Sequence, residues 1–171
     1  NLLEQKLKKI KNKFGIPNFI IHCAGIFKHK NLEKHTNREI IEIFNLNVLS
    51  SIFISKYFIN DLKKARKGKI INICSSSAYN GGGNYGHSIY SSTKHALLGF
   101  SRGLDEEVRE LNIRIGTVSP AGVTGKMTNN RTDIVKSSLM EPKEVANAVD
   151  YLIKADGKGI IYEIRIWRMN R

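Results

Sequence analysis

Four short apolar runs alternate along the chain with longer segments in which apolar residues recur at helical spacing. The apolar runs predict strands at residues 18–23, 69–74, 113–118 and 160–166. The helical spacing predicts helices at residues 2–13, 36–64, 88–111 and 142–155. Strands that are apolar throughout and separated by helices are typical of a parallel sheet covered on both faces. The sequence therefore predicts a single α/β domain over residues 1–171.

Local signals set the expected ends of these helices. Gly15 and Pro17 end the first helix, and Thr36 followed three residues later by Glu39 is a capping box that opens the second. Gly68 is expected to stop that second helix, and Pro142 stands where a first-turn proline opens the last one.

The chain is strongly basic, with 28 Lys and Arg against 15 Asp and Glu and a formal net charge of +13. The densest basic segments are Lys6–Lys13, Lys63–Lys69 and Arg165–Arg171. The first two are typical of solvated helix ends, where cations suit the helix dipole, and no aromatic residues interleave with them to stack bases. Lys, Asn and Ile are all frequent, as an AT-rich coding sequence would produce. We therefore expect no nucleic-acid partner.

The longest apolar runs, such as residues 18–21 and 70–73, are too short to span a bilayer. The first residues read NLLEQKLKKIKNK, without the apolar stretch and cleavage site of a signal peptide. We expect no membrane partner and a cytoplasmic location. Because the sequence does not begin with Met, we also expect it to start inside a longer chain.

Two cysteines, Cys23 and Cys74, are too few for a disulfide framework and are expected to be reduced thiols. A zinc site formed by these cysteines with His22 and His87 is disfavoured. His22 and Cys23 are adjacent on a predicted strand and should point to opposite faces of the sheet. We predict no metal site.

Polar and small residues concentrate just after the predicted strands, where parallel sheets bind ligands. These are residues 22–25, 75–77 and 119–124.

Tyr90 and Lys94 stand four residues apart on one face of a predicted helix. A neighbouring cation favours phenolate, so this pair could bring the Tyr90 pKa toward neutrality and make the residue a proton donor and acceptor. A tyrosine and a lysine four residues apart are common by chance. A catalytic role for this pair is supported only by the order in which Asn47, Ser75, the pair itself and the strand end at Ser119–Val123 follow one another along the chain.

In that order the chain resembles the classical short-chain dehydrogenase/reductase family over essentially its whole length. HCAG stands where the family has Asn-Asn-Ala-Gly, and Asn47 in FNLNV matches the helix asparagine. Ser75 matches the catalytic serine, YSSTKHALLGF the active-site helix, and SPAG the segment that ends the following strand. The resemblance implies a Rossmann-like α/β sheet and an NAD(P)-dependent oxidoreductase that reduces a carbonyl or oxidises an alcohol.

The resemblance also implies roles for individual residues. Tyr90 would be the general acid or base, and Lys94 would hold the nicotinamide ribose and lower the Tyr90 pKa. Ser75 would bind the substrate carbonyl oxygen, and Asn47 would hold a water of a proton relay. The positions implied for cofactor binding are Ala24, Gly25, Tyr90, Lys94, Pro120, Val123 and Thr124.

The sequence departs from the family pattern at several positions. His22 and Cys23 replace two asparagines, and Ala121 stands where glycine is usual. Gly125 falls where a threonine often bonds the cofactor, a bond that Thr124 would take over. The loop between Ser75 and Tyr90 is slightly long, which makes Ser77 a second candidate for the serine role.

The family's glycine-rich phosphate-binding turn is not found before Asn18. By the resemblance, three N-terminal strands and their helices are missing, which would leave the strand at 18–23 as an open edge. An alternative interpretation is therefore a truncated, non-catalytic paralogue that acts as an interaction partner. The end IYEIRIWR resembles NADP-preferring hydroxy-acid dehydrogenases and some oxoacyl reductases, which favours NADP over NAD. Family analogy further implies a homo-oligomer and a small carbonyl or alcohol substrate.

Overall fold

The structure is a computed structural model that describes residues 2–79, 85–129, 131–132 and 134–168. Its regular elements alternate as the sequence predicts. In chain order they are α1 (Leu2–Phe14), β1 (Phe19–His22), α2 (Asn37–Phe44), a π-helical turn (Asn45–Leu49), α3 (Ser50–Ala65), β2 (Gly68–Ile73), α4 (Ser88–Val108), β3 (Ile113–Pro120), α5 (Pro142–Lys154) and β4 (Glu163–Ile166).

The four strands form one parallel sheet in the order β1-β2-β3-β4. This confirms the predicted fold class and places β1 at an edge of the described sheet. The last strand is shorter than the predicted 160–166. It pairs only with the end of β3, from Thr117 opposite Glu163 to Pro120 opposite Ile166, so residues 160–162 precede the paired stretch.

Helices pack on both faces of this sheet. On one face, Ile70 of β2 and Ile115 of β3 lie in a buried cluster with Phe58 of α3 and Val108 of α4. On the other, neighbouring residues of the same strands pack against Leu152 of α5. Burial of such side chains contributes roughly 2 kcal/mol each, which makes these clusters the main support of the fold. Because all three strand pairs are parallel, the carboxyl ends of the strands lie at one edge of the sheet.

The capping box at the start of α2 is present, with Thr36 and Glu39 bonding each other's backbone N–H groups. The expected role of Gly68 is wrong. The helix ends at Ala65, where Arg66 adopts the left-handed conformation with φ 47°, and Gly68 is already the first residue of β2. A Cβ at Gly68 would lie 2.9 Å from a methyl carbon of Leu62, so glycine here permits close packing of the strand on the helix.

The helical segment Asn37–Ala65 as a whole is long and apolar enough, by length and composition, to cross a membrane. The sequence-based prediction considered only unbroken apolar runs and therefore did not detect this property of the segment. In the fold, Ile43, Phe58 and Leu62 of the segment are buried against the rest of the domain. Core helices of globular domains pass the same test of length and composition.

Candidate active site

A cavity of about 820 Å³ opens at the carboxyl ends of β1, β2 and β3. Its wall is completed by α4, by α5 and by the segment that follows β3. Most of the predicted site residues line it: Gly25, Ser75, Ser77, Tyr90, Lys94, Pro120, Val123 and Thr124. Ala24 is exposed and does not line the cavity. Asn47 is fully buried behind the cavity wall.

Tyr90 and Lys94 lie one turn apart on α4 and face the end of β2. The Tyr90 and Ser75 side chains line the same part of the cavity, and their interaction opposes the rise of the Tyr90 pKa. The Lys94 ammonium donates a 2.8 Å hydrogen bond to the carbonyl oxygen of Ile73 and lies 5.6 Å from the centre of the Tyr90 ring. Two hydroxyls and an ammonium group therefore meet at one wall of the cavity.

The expectation that the Tyr90 pKa lies near neutrality is wrong for this arrangement. Burial raises the pKa of Tyr90 to about 12, against the opposing effect of its hydrogen bond with Ser75. Burial also lowers the pKa of Lys94, and its ammonium lies over the Tyr90 ring while bonded to Ile73. Desolvation of the phenolate therefore outweighs the favourable hydrogen bond.

Asn47 lies in the π-helical turn Asn45–Leu49, the one place where the long helix departs from α-helical bonding. Its Oδ1 accepts a 2.8 Å hydrogen bond from the Ile26 N–H, and its Nδ2 donates to the Ile26 carbonyl at 2.9 Å and to Thr93 Oγ1 at 3.1 Å. Both amide hydrogens are thus used by protein groups. The side chain ties the segment after β1 to α4 at the turn that carries Tyr90.

Gly25 stands between Asn47 and Lys94. A Cβ built on it would lie 3.4 Å from Asn47 Oδ1 and 3.9 Å from Lys94 Nζ, so any side chain here would point into this gap. The small residue keeps the cavity open where the chain leaves β1.

Residues after β3 form the opposite wall. Val123 is bridged to Met140, and the Thr124 N–H donates a 2.9 Å hydrogen bond to the Met140 carbonyl. Among the described residues, the Thr124 hydroxyl makes two long contacts, 3.4 Å to the Met140 carbonyl and 3.5 Å to Glu141. Thr124 therefore lines the cavity with a hydroxyl beside Gly125, which has no side chain.

His22 and Cys23 point to opposite faces, as the strand period predicts. His22 is buried against α3, where Nε2 lies 3.1 Å from Ser55 Oγ, and burial lowers the pKa of His22 to about 4. Cys23 is exposed and lines the cavity. Both cysteines are free, as expected, and burial raises the pKa of Cys74 to about 12. Among the described residues no three His, Cys, Asp or Glu side chains form a metal-binding group.

Sequence reasoning missed an aromatic wall beside Tyr90. Phe27 packs 4.8 Å from both Tyr90 and His87, and the Arg131 guanidinium lies 5.1 Å from the Phe27 ring centre. The available signal was position: Phe27 follows β1 and His87 precedes α4, so both lie at the ligand-binding edge of the sheet. Arg131 comes from the segment after β3, and no local pattern marks it.

Residues 2–135 match the model of a family described as short chain dehydrogenase. The chain is 31% identical over 163 residues to the 3-oxoacyl-(acyl-carrier-protein) reductase of Haemophilus influenzae, covering 90% of this chain and 66% of that protein. It is 29% identical over 161 residues to carbonyl reductase family member 4 of Xenopus laevis, covering 91% and 67%. The chain thus spans about two thirds of the length of the curated relatives that it matches.

Solved structures show the same fold. An alcohol dehydrogenase from the archaeon Thermococcus sibiricus, complexed with 5-hydroxy-NADP, superimposes with a TM-score of 0.84 at 24% identity. The match covers 97% of this chain and 68% of the archaeal one. ElxO with NADP bound gives a TM-score of 0.85 at 24% identity, over 96% of this chain and 71% of that chain. At this identity the likeness concerns the fold.

Proposed function

Because the chain belongs to the short-chain dehydrogenase family, we propose that its cavity is the site of NAD(P)(H)-dependent carbonyl reduction and alcohol oxidation. The observation that carries the proposal is the convergence of the Tyr90 and Ser75 side chains with the buried amine of Lys94 at one wall of the cavity. A carbonyl oxygen that accepts from both hydroxyls would receive its proton where its negative charge develops. The names of the two curated relatives, a carbonyl reductase and an oxoacyl reductase, support the same chemistry.

The cavity suits the nicotinamide end of such a cofactor. Lys94 offers a buried donor that would bind a ribose hydroxyl of the cofactor, and Gly25 leaves the space in front of it open. Pro120, Val123 and Thr124 line the facing wall. When bound, a nicotinamide cofactor supplies or accepts the hydride.

The residues of the chain supply the proton and the geometry. Tyr90 donates its proton to the carbonyl oxygen in reduction and accepts it in oxidation, and Ser75 donates a hydrogen bond to the same oxygen. Asn47 acts through position, because its three hydrogen bonds fix the segment at Ile26 against Thr93, three residues from Tyr90. Water relay through Asn47 would have to use its remaining acceptor capacity, since both side-chain N–H groups are used.

We also propose NADP rather than NAD as the cofactor and a small ketone, aldehyde or alcohol as the substrate. The resemblance of the segment IYEIRIWR to NADP-preferring members supports the first choice. Initial rates with NADPH and NADH at equal concentration test it, and faster turnover with NADH would contradict it.

The central experiment measures NADPH oxidation with a panel of ketones and aldehydes at millimolar cofactor. Tyr90→Phe should lower the rate by roughly 10²- to 10⁴-fold, because phenylalanine carries no proton to donate. Tyr151→Phe, which removes the hydroxyl of an exposed tyrosine on α5, is the matched control and should leave the rate unchanged. A Tyr90→Phe protein with normal turnover would refute the assignment, and a wild-type chain that turns over no carbonyl would favour the non-catalytic alternative.

A further inference from the structure

The short turn that carries Ser75 is followed by Tyr79, whose side chain is held from three sides. The Tyr79 hydroxyl donates a 2.9 Å hydrogen bond to Glu163 Oε2 on β4. Arg102 of α4 donates a 2.6 Å hydrogen bond to the other oxygen, Glu163 Oε1. The Arg165 guanidinium carbon lies 3.5 Å from the centre of the Tyr79 ring, within cation–π distance. We call Tyr79, Arg102, Glu163 and Arg165 the Glu163 cluster.

Backbone hydrogen bonds within the turn connect Tyr79 to Ser75. Residues 76–78 form one turn of 3-10 helix, in which the Ala78 N–H donates to the Ser75 carbonyl at 3.0 Å and the Tyr79 N–H donates to the Ser76 carbonyl at 3.1 Å. The Ser77 N–H donates to Ser75 Oγ at 3.1 Å, so this amide reports directly where the Ser75 hydroxyl lies.

The two ends of the turn are anchored differently. On the N-terminal side, the Cys74 N–H donates a 2.8 Å hydrogen bond to the Val118 carbonyl, which continues the pairing of β2 with β3. On the C-terminal side the sequence continues as Asn80 followed by three glycines, which carry no side chain. Tyr79 is the last residue of this turn that the structure describes, and its side chain holds the C-terminal end through the contact with Glu163.

We propose that Tyr79 is a positioning residue that, through the Glu163 cluster, sets the Ser75 hydroxyl against Tyr90. The proposal builds on the proposed function, in which Ser75 and Tyr90 contact the substrate oxygen. The Tyr79 ring packs against the buried cluster of Cys74, Leu97 and Leu98, and this packing fixes how far the ring is inserted into the domain. The bond to Glu163 adds a directional contact that fixes the ring's orientation and so the end of the turn.

The cluster also explains why a tyrosine and a carboxylate are paired here. Glu163 accepts from Arg102 and from the Tyr79 hydroxyl, and these hydrogen bonds lower its pKa against the effect of burial. The carboxylate therefore remains charged in the neutral range, and a charged acceptor bonds a hydroxyl more strongly than a neutral one.

The test compares Tyr79→Phe with wild type by amide hydrogen exchange of the whole chain, followed by NMR. Phenylalanine keeps the ring between Arg165 and the apolar cluster and removes only the bond to Glu163. We expect the Ser77 amide to exchange roughly tenfold faster, through local opening of the turn, at an unchanged thermal midpoint. Ser75→Ala removes the acceptor of the Ser77 amide and should therefore give the largest increase in its exchange rate.

Two further variants make the result specific. Glu163→Gln keeps a neutral acceptor for the Tyr79 hydroxyl and should give an effect between wild type and Tyr79→Phe. Tyr151→Phe, at an exposed tyrosine remote from the turn, should leave the Ser77 amide unchanged. Ser77 exchange at the wild-type rate in Tyr79→Phe would overturn the proposal, whatever the activity of the chain.

Kinetics separate positioning from general stability. In an active wild-type chain, Tyr79→Phe should lower kcat by roughly tenfold with little change in KM, because Ser75 acts mainly on charge that develops in the transition state. A rise in KM at unchanged kcat would overturn the proposal. Failure of the proposed function would instead appear as a wild-type chain without turnover, and the exchange result would then decide the role of Tyr79 alone.

Discussion

The Lys94 ammonium nitrogen lies 5.6 Å from the centre of the Tyr90 ring and is bonded to the backbone of β2. It therefore faces the ring of the tyrosine, while the Ser75 side chain interacts with the tyrosine hydroxyl. Of these two polar neighbours, Ser75 is the one that lowers the pKa of Tyr90 in this arrangement. The proton chemistry of the site accordingly depends on Ser75 as much as on the cation.

Replacing Ser75 by alanine should shift the pH dependence of alcohol oxidation. Oxidation needs the phenolate of Tyr90, so its rate rises with pH toward the raised pKa of about 12. Loss of the Ser75 hydrogen bond raises that pKa further, and the rising limb should move to higher pH. We expect an approximately 10²-fold lower rate below pH 10. Ser92→Ala, which removes an exposed hydroxyl on α4, the helix that carries Tyr90, should leave the pH dependence of the rate unchanged.

Asn47→Asp should destabilise the domain at neutral pH. A buried carboxylate can still accept from the Ile26 N–H but cannot donate to the Ile26 carbonyl or to Thr93. We expect the free energy of unfolding to fall by about 3 kcal/mol at pH 7 in urea titrations. Because burial raises the pKa of the new carboxyl, the loss should shrink as the pH falls toward 5 and the group becomes protonated. Equal losses at pH 7 and pH 5 would contradict the explanation.

His22 should make the stability of the fold decrease in mild acid. Its pKa is lowered to about 4 in the folded chain, against about 6.5 in the unfolded one, so the unfolded chain binds the extra proton first. The contribution of His22 to the free energy of unfolding is fully present above pH 6.5. It decreases by about 3 kcal/mol in total as the pH falls toward 4. His22→Asn should remove this part of the pH dependence. Parallel stability curves for the two proteins between pH 7 and pH 4 would refute it.

Lys69 should stabilise the end of α5. Its ammonium donates to the carbonyls of Leu152, Ile153 and Ala155 in the last turn, where a cation also suits the helix dipole. Lys69→Met keeps the apolar stem and leaves those carbonyls without that donor, at a cost of about 2 kcal/mol in the free energy of unfolding. Lys154→Met, at an exposed ion pair on the same helix, is the control and should change stability by less than about 0.5 kcal/mol.

Dinucleotide binding by residues 1–171 should be weak. Residues 2–14 form a helix whose buried residue is Leu7, and the residues before β1 offer no glycine-rich turn to cradle a pyrophosphate. Contacts at Lys94 and Val123 would hold the cofactor by one end. We expect a Kd on the order of 1 mM in a fluorescence titration. Micromolar affinity would contradict this expectation, and a version extended at the N-terminus by such a turn should bind more tightly.

Local sequence was sufficient for the elements of the fold and for their order. The apolar runs at 18–23, 69–74 and 113–118 predicted three strands to within two residues at each end, because strands of a parallel sheet typically form nearly continuous apolar runs. The capping box at Thr36 and Glu39 likewise fixes a helix start through bonds between neighbours in sequence. Tyr90 and Lys94 were readable as a pair because helical spacing alone puts them on one face.

Contacts between distant segments were decided by the tertiary structure. No pattern around Tyr79 indicates that Glu163, 84 residues later, accepts its hydroxyl proton in a hydrogen bond, since that contact exists only once β4 lies beside β3. The Tyr90 pKa follows the same principle. Spacing predicts a neighbouring cation, whereas burial is a property of the packed domain, and burial raised the Tyr90 pKa instead of lowering it.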